Sequence, residues 1–113
     1  LDLGAALTNG TGGLEKDFTR ALTFFEKGCE LKSAVACRNA GILTGEERYG
    51  ALDMKRSVEF YTRGCELNDG FACNDLGVDY DNALGVEEDE PKARGLFEKA
   101  CTKGDAKGCS NLG

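Results

Sequence analysis

The chain has 113 residues, the length of one domain, and its 14 Lys and Arg residues against 20 Asp and Glu residues leave a net charge of −6. This charge disfavours nucleic acid and anionic lipid surfaces as partners, and no stretch approaches the roughly 20 apolar residues that span a membrane. The sequence has no histidine, which excludes Ser-His-Asp and Cys-His catalytic sites and zinc sites that need a histidine ligand.

The cysteines mark an internal repeat of 36 residues. Cys29, Cys65 and Cys101 lie 36 positions apart, and each is followed eight positions later by a second cysteine. A fixed period of this length is typical of solenoid proteins. We therefore predict a single domain over residues 1–113, with units at 1–32, 33–68 and 69–104 and a partial fourth unit at 105–113.

Each unit is predicted to contain two helices. The apolar segment Leu1 to Leu7 is followed by a glycine-rich loop that ends at Gly13. Asp17 then precedes apolar residues spaced i, i+3 and i+4, and Ser33 precedes the segment that carries Cys37, so both are predicted N-caps. The equivalent N-caps further along the chain are Asp53, Asp69, Asp89 and Asp105. Stacked helix pairs of this kind predict an all-α fold, a right-handed α-solenoid.

The same periodicity predicts the core. We expect Gly77 to lie where two helices approach too closely for a side chain. The residues expected in a continuous core are Phe25, Phe60, Tyr61, Leu76, Tyr80 and Phe97.

Three segments of the third unit resemble a known family. They are CNDLGVDY at 73–80, GVEED at 85–89 and FEKAC at 97–101, and they are similar to the Sel-one-like repeat. Within that group, the 36-residue period with two cysteines per unit resembles the Helicobacter cysteine-rich proteins. The resemblance implies a superhelix related to tetratricopeptide repeat proteins, with the cysteines at two packing positions. The second unit departs from the pattern, because Ala40 replaces the expected leucine and residues 48–51 replace the Gly-Val-Glu segment.

Six cysteines allow 15 disulfide connectivities, and the repeat reduces this number. Equivalent cysteines should pair equivalently, and only pairing each cysteine with the one eight positions away leaves no cysteine over. Pairing Cys37 with Cys65 and Cys73 with Cys101 would leave Cys29 and Cys109 unpaired. Seven intervening residues suit neither a structural zinc site nor a redox pair, so we predict structural disulfides, with no metal and no cofactor. Disulfides predict an oxidising compartment, either secreted or periplasmic, with the mitochondrial intermembrane space as an alternative. The predicted pairs are Cys29 with Cys37, Cys65 with Cys73, and Cys101 with Cys109.

The predicted function is a scaffold or adaptor that binds a protein or peptide. Stacked helix pairs curve, and the first helices of the units line a concave surface suited to an extended ligand. Similarity to tetratricopeptide proteins implies which positions face that ligand. They are Val35, Arg38, Ile42, Gly45 and Glu46 in the second unit, and Phe71, Asn74, Val78, Asp81 and Asn82 in the third.

The resemblance to the Helicobacter proteins also implies an alternative, which is weak β-lactam binding or hydrolysis. The sequence contains no Ser-x-x-Lys, Ser-Asp-Asn or Lys-Thr-Gly motif. Clustered acidic residues are usually solvated helix faces or caps, and nothing pairs a nucleophile with a base. We therefore predict that the protein is not an enzyme.

The two ends predict self-association. Leu1 to Leu7 form an apolar segment with no helix before it, and Asp105 to Gly113 begin a fourth unit that stops within a Leu-Gly motif. We expect the chain to be a fragment or truncated array whose ends stack head to tail, with Leu1 to Leu7 of one copy against Cys109 to Leu112 of another.

Overall fold

The computed structural model describes residues 14–46 and 52–112. In this part of the chain there are six helices and no strands. Each helix packs against the next along the chain, and the array measures 42 × 24 × 22 Å. The fold is therefore an all-α solenoid of helix pairs, as predicted. The helices are α1 (Leu14–Glu30), α2 (Ala34–Gly45), α3 (Met54–Glu66), α4 (Gly70–Asp81), α5 (Glu90–Thr102) and α6 (Ala106–Asn111).

Five of the six predicted capping residues begin a helix. Their side chains accept a backbone N–H from the first turn, as Ser33 Oγ does from Ala36 at 3.2 Å, and this satisfies a donor that the helix leaves free. The prediction for Asp17 is wrong, because α1 begins at Leu14 and includes Asp17 in its first turn. Leu, Glu and Lys at positions 14–16 are good helix formers, so the helix starts directly after Gly13. The five capping residues are Ser33, Asp53, Asp69, Asp89 and Asp105.

The turns into α2, α4 and α6 share one geometry. Lys32, Asn68 and Gly104 stand 36 positions apart, and each has a positive φ, of 71°, 72° and 95° respectively. The next residue donates its backbone N–H back to the preceding helix, as Ser33 does to the carbonyl of Gly28 at 3.0 Å. This is the Schellman pattern that ends a helix. It starts each following helix at the same point of the repeat.

The core consists of two clusters of apolar side chains. One lies mainly between α1 and α2 and receives Phe60 from α3, and the other joins α3, α4 and α5. Tyr80 differs from the prediction, because it is only partly buried and packs against the edge of the second cluster. The other predicted core residues are buried: Phe25, Phe60, Tyr61, Leu76 and Phe97.

Gly77 lies at a close helix contact, as predicted. A Cβ atom at this position would lie 2.6 Å from the ring of Phe97. The equivalent contact in the preceding unit joins Gly41 to Tyr61, where a Cβ atom would lie 2.7 Å from the ring. The glycines therefore allow α2 and α4 to pack directly on the aromatic side chains of α3 and α5.

Candidate functional site

Three disulfides hold the site's helices in place. Cys29 is bonded to Cys37, Cys65 to Cys73, and Cys101 to Cys109, with Cα–Cα distances of 4.5, 4.5 and 4.7 Å. Each bond joins the end of one helix to the first turn of the next. The turns and disulfides together place α2 beside α4 and α4 beside α6, so that these three helices form one continuous face.

Two adjoining depressions lie along this face, and together we call them the α2–α4–α6 groove. They share lining residues on α4 and α6, so one leads into the other. The first has a volume of about 290 Å³, and its walls include Arg38, Ile42, Phe71, Asp75, Asp105 and Lys107. The second has a volume of about 450 Å³, and its walls include Asn74, Asp75, Val78, Lys107 and Asn111.

Of the ten sequence-predicted ligand positions, five line this groove and five lie apart from it. Gly45 and Glu46 are the last residue and the C-cap of α2. Val35 is partly buried in the first turn of α2. Asp81 lines a different depression, beside α5 and the end of α6. Asn82 caps α4, and its Nδ2 donates to the carbonyl of Val78 at 3.1 Å. The five residues in the groove are Arg38, Ile42, Phe71, Asn74 and Val78.

The side chain of Asn74 is already engaged within the protein. It is buried, and its Oδ1 accepts a hydrogen bond from Asn111 Nδ2 at 2.7 Å. This bond ties α4 to α6 across the groove wall. Asn74 therefore helps to shape the groove, and its Oδ1 is already used in a hydrogen bond within the protein.

Arg38 and Phe71 form an exposed platform at one end of the groove. The Arg38 guanidinium carbon lies 4.9 Å from the centre of the Phe71 ring, which is a cation–π contact. Arg38 Nε also lies 3.5 Å from Asp69 Oδ2. Phe71 is 52 % exposed, so a large apolar surface remains open to a ligand beside a fixed cation.

The middle of the groove is acidic. The pKa of Asp75 is raised to about 6, mainly by burial. The neighbouring carboxylates Asp105 and Asp69 also raise this pKa, and Lys107 and Arg38 lower it. The Asp75 carboxyl group thus lies among charges of both signs contributed by all three helices.

Sequence reasoning missed Asp79, which lies one helical turn beyond Asp75. It is 5 % exposed, its Oδ2 has no hydrogen-bond partner, and burial together with Asp75 raises its pKa to about 7. Asp79 stands at the repeat position that Leu43 fills in the preceding unit, where the side chain belongs to the core. The replacement of leucine by aspartate at this repeat position is the sequence signal that could have identified Asp79.

Tyr61 packs beneath this acidic part of the groove. It stands where Phe25 stands in the first unit, so the second unit brings a hydroxyl group towards α4. Burial raises the pKa of Tyr61 well above its usual range, and Asp75 and Asp79 raise it further. The hydroxyl group therefore stays protonated.

Neither a metal centre nor a membrane span is evident in the described part of the chain. Within residues 14–46 and 52–112, no three Cys, Asp or Glu side chains are grouped so that they could hold a metal ion. None of the six helices combines the length and apolar character that crossing a membrane requires.

The repeats match a family model over almost the whole chain. The model of the Sel1 repeat matches residues 1–33, 34–69 and 70–105. The chain belongs to the Sel1 repeat family. Members of this family generally serve as protein-interaction scaffolds and are typically not enzymes.

Solved structures of Sel1 repeat proteins share this fold. Cysteine-rich protein B of Helicobacter pylori is 32 % identical, with a TM-score of 0.78 over 83 % of this chain and 71 % of that protein. A Sel1 repeat protein from Oxalobacter formigenes is 28 % identical, with a TM-score of 0.80 over 98 % of this chain and 45 % of that one.

A third similar structure is a protective antigen of uropathogenic Escherichia coli that has the same repeat fold. It is 25 % identical, with a TM-score of 0.85 over 98 % of this chain and 24 % of that protein. This chain therefore spans less than half the length of the Oxalobacter and Escherichia proteins. A search of curated proteins found no match. The predicted resemblance to Sel1 repeats and to the Helicobacter cysteine-rich proteins is confirmed.

Proposed function

We propose that this protein binds an extended segment of a partner protein in the α2–α4–α6 groove. The observation that carries this proposal is Phe71, which is 52 % exposed within a groove bounded by three helices. Exposed apolar side chains in a concave surface are typical of interaction sites. The scaffold role that is general in the Sel1 family supports the same interpretation.

The groove offers the two kinds of contact that peptide recognition needs. Ile42, Phe71 and Val78 provide apolar surface for anchoring side chains, and aromatic anchors commonly supply most of the binding energy at an interface. Arg38 and Asp75 provide charged groups that can select the polar side chains of a ligand.

We propose an extracellular or periplasmic setting for this interaction. Disulfides form and persist in oxidising compartments, and the described chain contains three. The similar solved proteins named above come from bacteria, which favours the bacterial periplasm or exterior over the mitochondrial intermembrane space.

The positions of the serines do not favour the β-lactam alternative. Ser33 caps α2, and Ser57 is fully buried and donates to the carbonyl of Gly41 at 2.8 Å. Ser110 is exposed in α6, at the edge of the groove. Two of the chain's three serines thus have structural roles.

The proposal is tested with peptides selected on the oxidised protein from a random display library. We expect Phe71→Ala to weaken binding of a selected peptide at least tenfold by fluorescence anisotropy, because it removes the aromatic anchor. Leu84→Ala is the matched control, since Leu84 is also exposed but lies in the connection after α4. Equal effects of the two substitutions, or a library that yields no binding peptide, would overturn the proposal.

A further inference from the structure

Two carboxylates at equivalent positions of the repeat have different surroundings. Asp69 and Asp105 are N-caps 36 positions apart, and Oδ1 of each accepts a backbone N–H at 3.2 Å. Oδ2 of Asp69 is buried without a hydrogen-bond partner, but it forms an ion pair with Arg38, whose Nε lies 3.5 Å away. Asp105 is 4 % exposed, and its Oδ2 is buried without a hydrogen-bond partner.

The difference arises from one residue of the repeat. Asn74 stands at the position that Arg38 holds in the preceding unit. Its amide group bonds to Asn111, so no guanidinium lies beside Asp105 as Arg38 lies beside Asp69. Burying a carboxylate without a cation costs free energy, and a ligand that supplied the cation would recover that cost.

The groove gives such a ligand access to Asp105. Asp105 and Asp75 line the same depression, together with the apolar surfaces of Ile42 and Phe71. Long cationic side chains bury their hydrocarbon stems on apolar surface and direct the charged group to a carboxylate. Lys107 lines the same depression and lowers the pKa of Asp75. Of the two carboxylates that line this depression, Asp105 is the one whose Oδ2 is buried without a hydrogen-bond partner.

We propose that the groove takes an arginine side chain of the partner and places its guanidinium between Asp75 and Asp105, as Arg38 is placed beside Asp69. The inference rests on the proposed peptide-binding function and adds the chemistry of the ligand. Arginine suits the site better than lysine, because its planar fork can reach two carboxylates at once. The net charge of −6 favours the approach of a basic segment.

The first test is a display selection on three forms of the oxidised protein. We expect peptides selected on the unmodified protein to be enriched in arginine at one position, and those selected on Asp105→Asn to lack this enrichment. Asn keeps the N-cap, so helix α6 is retained. Asp69→Asn is the matched control, with the same loss of charge at the equivalent cap, and it should keep the enrichment.

The outcomes separate the two proposals. Peptides that bind without basic enrichment, or with enrichment that survives in Asp105→Asn, would overturn the arginine inference and leave the groove as a binding site. A selection that yields no binder would overturn the proposed function itself. With a selected peptide, replacing its arginine by citrulline should weaken binding about tenfold on the unmodified protein and have little effect on Asp105→Asn.

A second variant tests the same site in the opposite way. Asn74→Arg places an arginine where the preceding unit has Arg38. Its guanidinium should occupy the space that we propose for the guanidinium of the partner's arginine. We expect the melting temperature to rise and the affinity for the arginine peptide to fall at least tenfold. A variant with an unchanged helical circular dichroism spectrum that binds the peptide as tightly as the unmodified protein would contradict the inference.

Discussion

Asp79 and Tyr61 each bring a polar group into a position that is apolar in the unit before their own. Leu43 and Phe25 fill the equivalent places there, and both belong to the first core cluster. A carboxyl group in such a position is more easily buried when it is protonated, because desolvation disfavours its charged form. The protonation of Asp79 should therefore affect the stability of the fold.

The stability of the protein should fall as the pH rises from 5 to 8. Asp79 has a raised pKa of about 7 in the folded protein, against about 3.9 in an unfolded chain. Between these values the folded state holds a proton that the unfolded state lacks, so raising the pH favours unfolding. Asp75, with a pKa of about 6, contributes in the same direction. No histidine titrates in this range.

Urea denaturation at several pH values measures this dependence. Asp79→Asn should flatten the decrease in unfolding free energy and should stabilise the protein at pH 8, because it replaces the carboxyl group by a neutral amide. Asp81→Asn removes a charge from an exposed residue of the same helix, and it should leave the slope unchanged. If the unfolding free energy of Asp79→Asn decreased with pH as steeply as that of the unmodified protein, Asp79 would not be the group responsible.

Two helical glycines predict opposite effects of substitution by alanine. In Gly77→Ala the new methyl group would lie 2.6 Å from the buried ring of Phe97, and overpacking of this kind costs about 1–3 kcal/mol. In Gly95→Ala it would meet no atom within 4 Å, and alanine should stabilise α5 by about 0.5–1 kcal/mol. Chemical denaturation should give changes of opposite sign, and a stabilising Gly77→Ala would show that the helix contact is misplaced.

At the scale of helices and their connections, the three disulfides differ in burial. Cys65 and Cys73 are buried in the second core cluster, and Cys29 and Cys37 are buried in the first. Cys109 is exposed and Cys101 is partly exposed. Each bond closes a loop of the same length and should contribute roughly 2.5 kcal/mol to stability in the chain-entropy model. The order in which the bonds are reduced should therefore depend on how accessible each one is to the reductant.

The bond between Cys101 and Cys109 should be reduced first under native conditions. Its loss frees the short helix α6 from α5 and leaves the helices α1 to α5 joined as before. Partial reduction by dithiothreitol, followed by alkylation and peptide mapping, should find label on this pair while the other two bonds remain intact. Simultaneous reduction of all three would show that the units unfold together before any bond becomes accessible.

Periodicity predicted the helices better than it predicted one of their ends. The 36-residue register located five N-caps, because a short polar residue before an apolar stripe has a local physical function. It misplaced the start of α1, since the good helix formers at positions 14–16 extend the helix past Asp17. The repeat predicts which positions are equivalent, whereas the helix propensities of the residues in each unit determine where its helix begins.

The groove was predicted only in part, because the repeat predicts equivalent positions but not the effects of residues that differ between units. Family similarity placed Arg38, Ile42 and Phe71 on the face that forms the groove, since these positions follow from the repeat. The hydrogen bond that engages Asn74 and the unpartnered carboxylate of Asp105 depend on contacts between units. Residues that differ between otherwise equivalent units determine those contacts, and their partners are visible only in three dimensions.

At the scale of the whole molecule, the helices α1 and α5 differ in the polarity of equivalent positions. Phe24 on α1 and Leu31 directly after it are exposed, although the equivalent residues Phe60 and Leu67 pack in or against the first core cluster. On α5, Glu90 and Arg94 are exposed where α1 has the buried Phe18 and Leu22. Neighbouring units of a solenoid bury apolar faces against each other, and α5 has polar side chains at these positions.

Head-to-tail association stays a prediction, and its expected contact at Leu1 to Leu7 lies outside the described residues. The polar face of α5 should weaken any such stacking, because it would bury Glu90 and Arg94. Glu90→Phe combined with Arg94→Leu restores the residue types of the first unit. We expect this variant to associate at least tenfold more tightly in sedimentation equilibrium than the unmodified protein.

A matched control separates the end face from surface hydrophobicity in general. Glu66→Phe combined with Arg63→Leu makes the same exchanges at exposed residues of α3, in the middle of the array. If the two double variants associated equally tightly, the polar residues of α5 would have no special effect on head-to-tail stacking.

The most direct test of the central claim is a nuclear magnetic resonance titration that locates a bound peptide. The ¹⁵N-labelled oxidised protein is titrated with a peptide selected from the display library, and the shift of each backbone amide signal is measured. The account predicts that the largest shifts fall on α2, α4 and α6, around Ile42, Phe71 and Val78. Shifts concentrated on α3 and α5, or around the exposed Phe24 and Leu31 at the end of α1 and just after it, would contradict it.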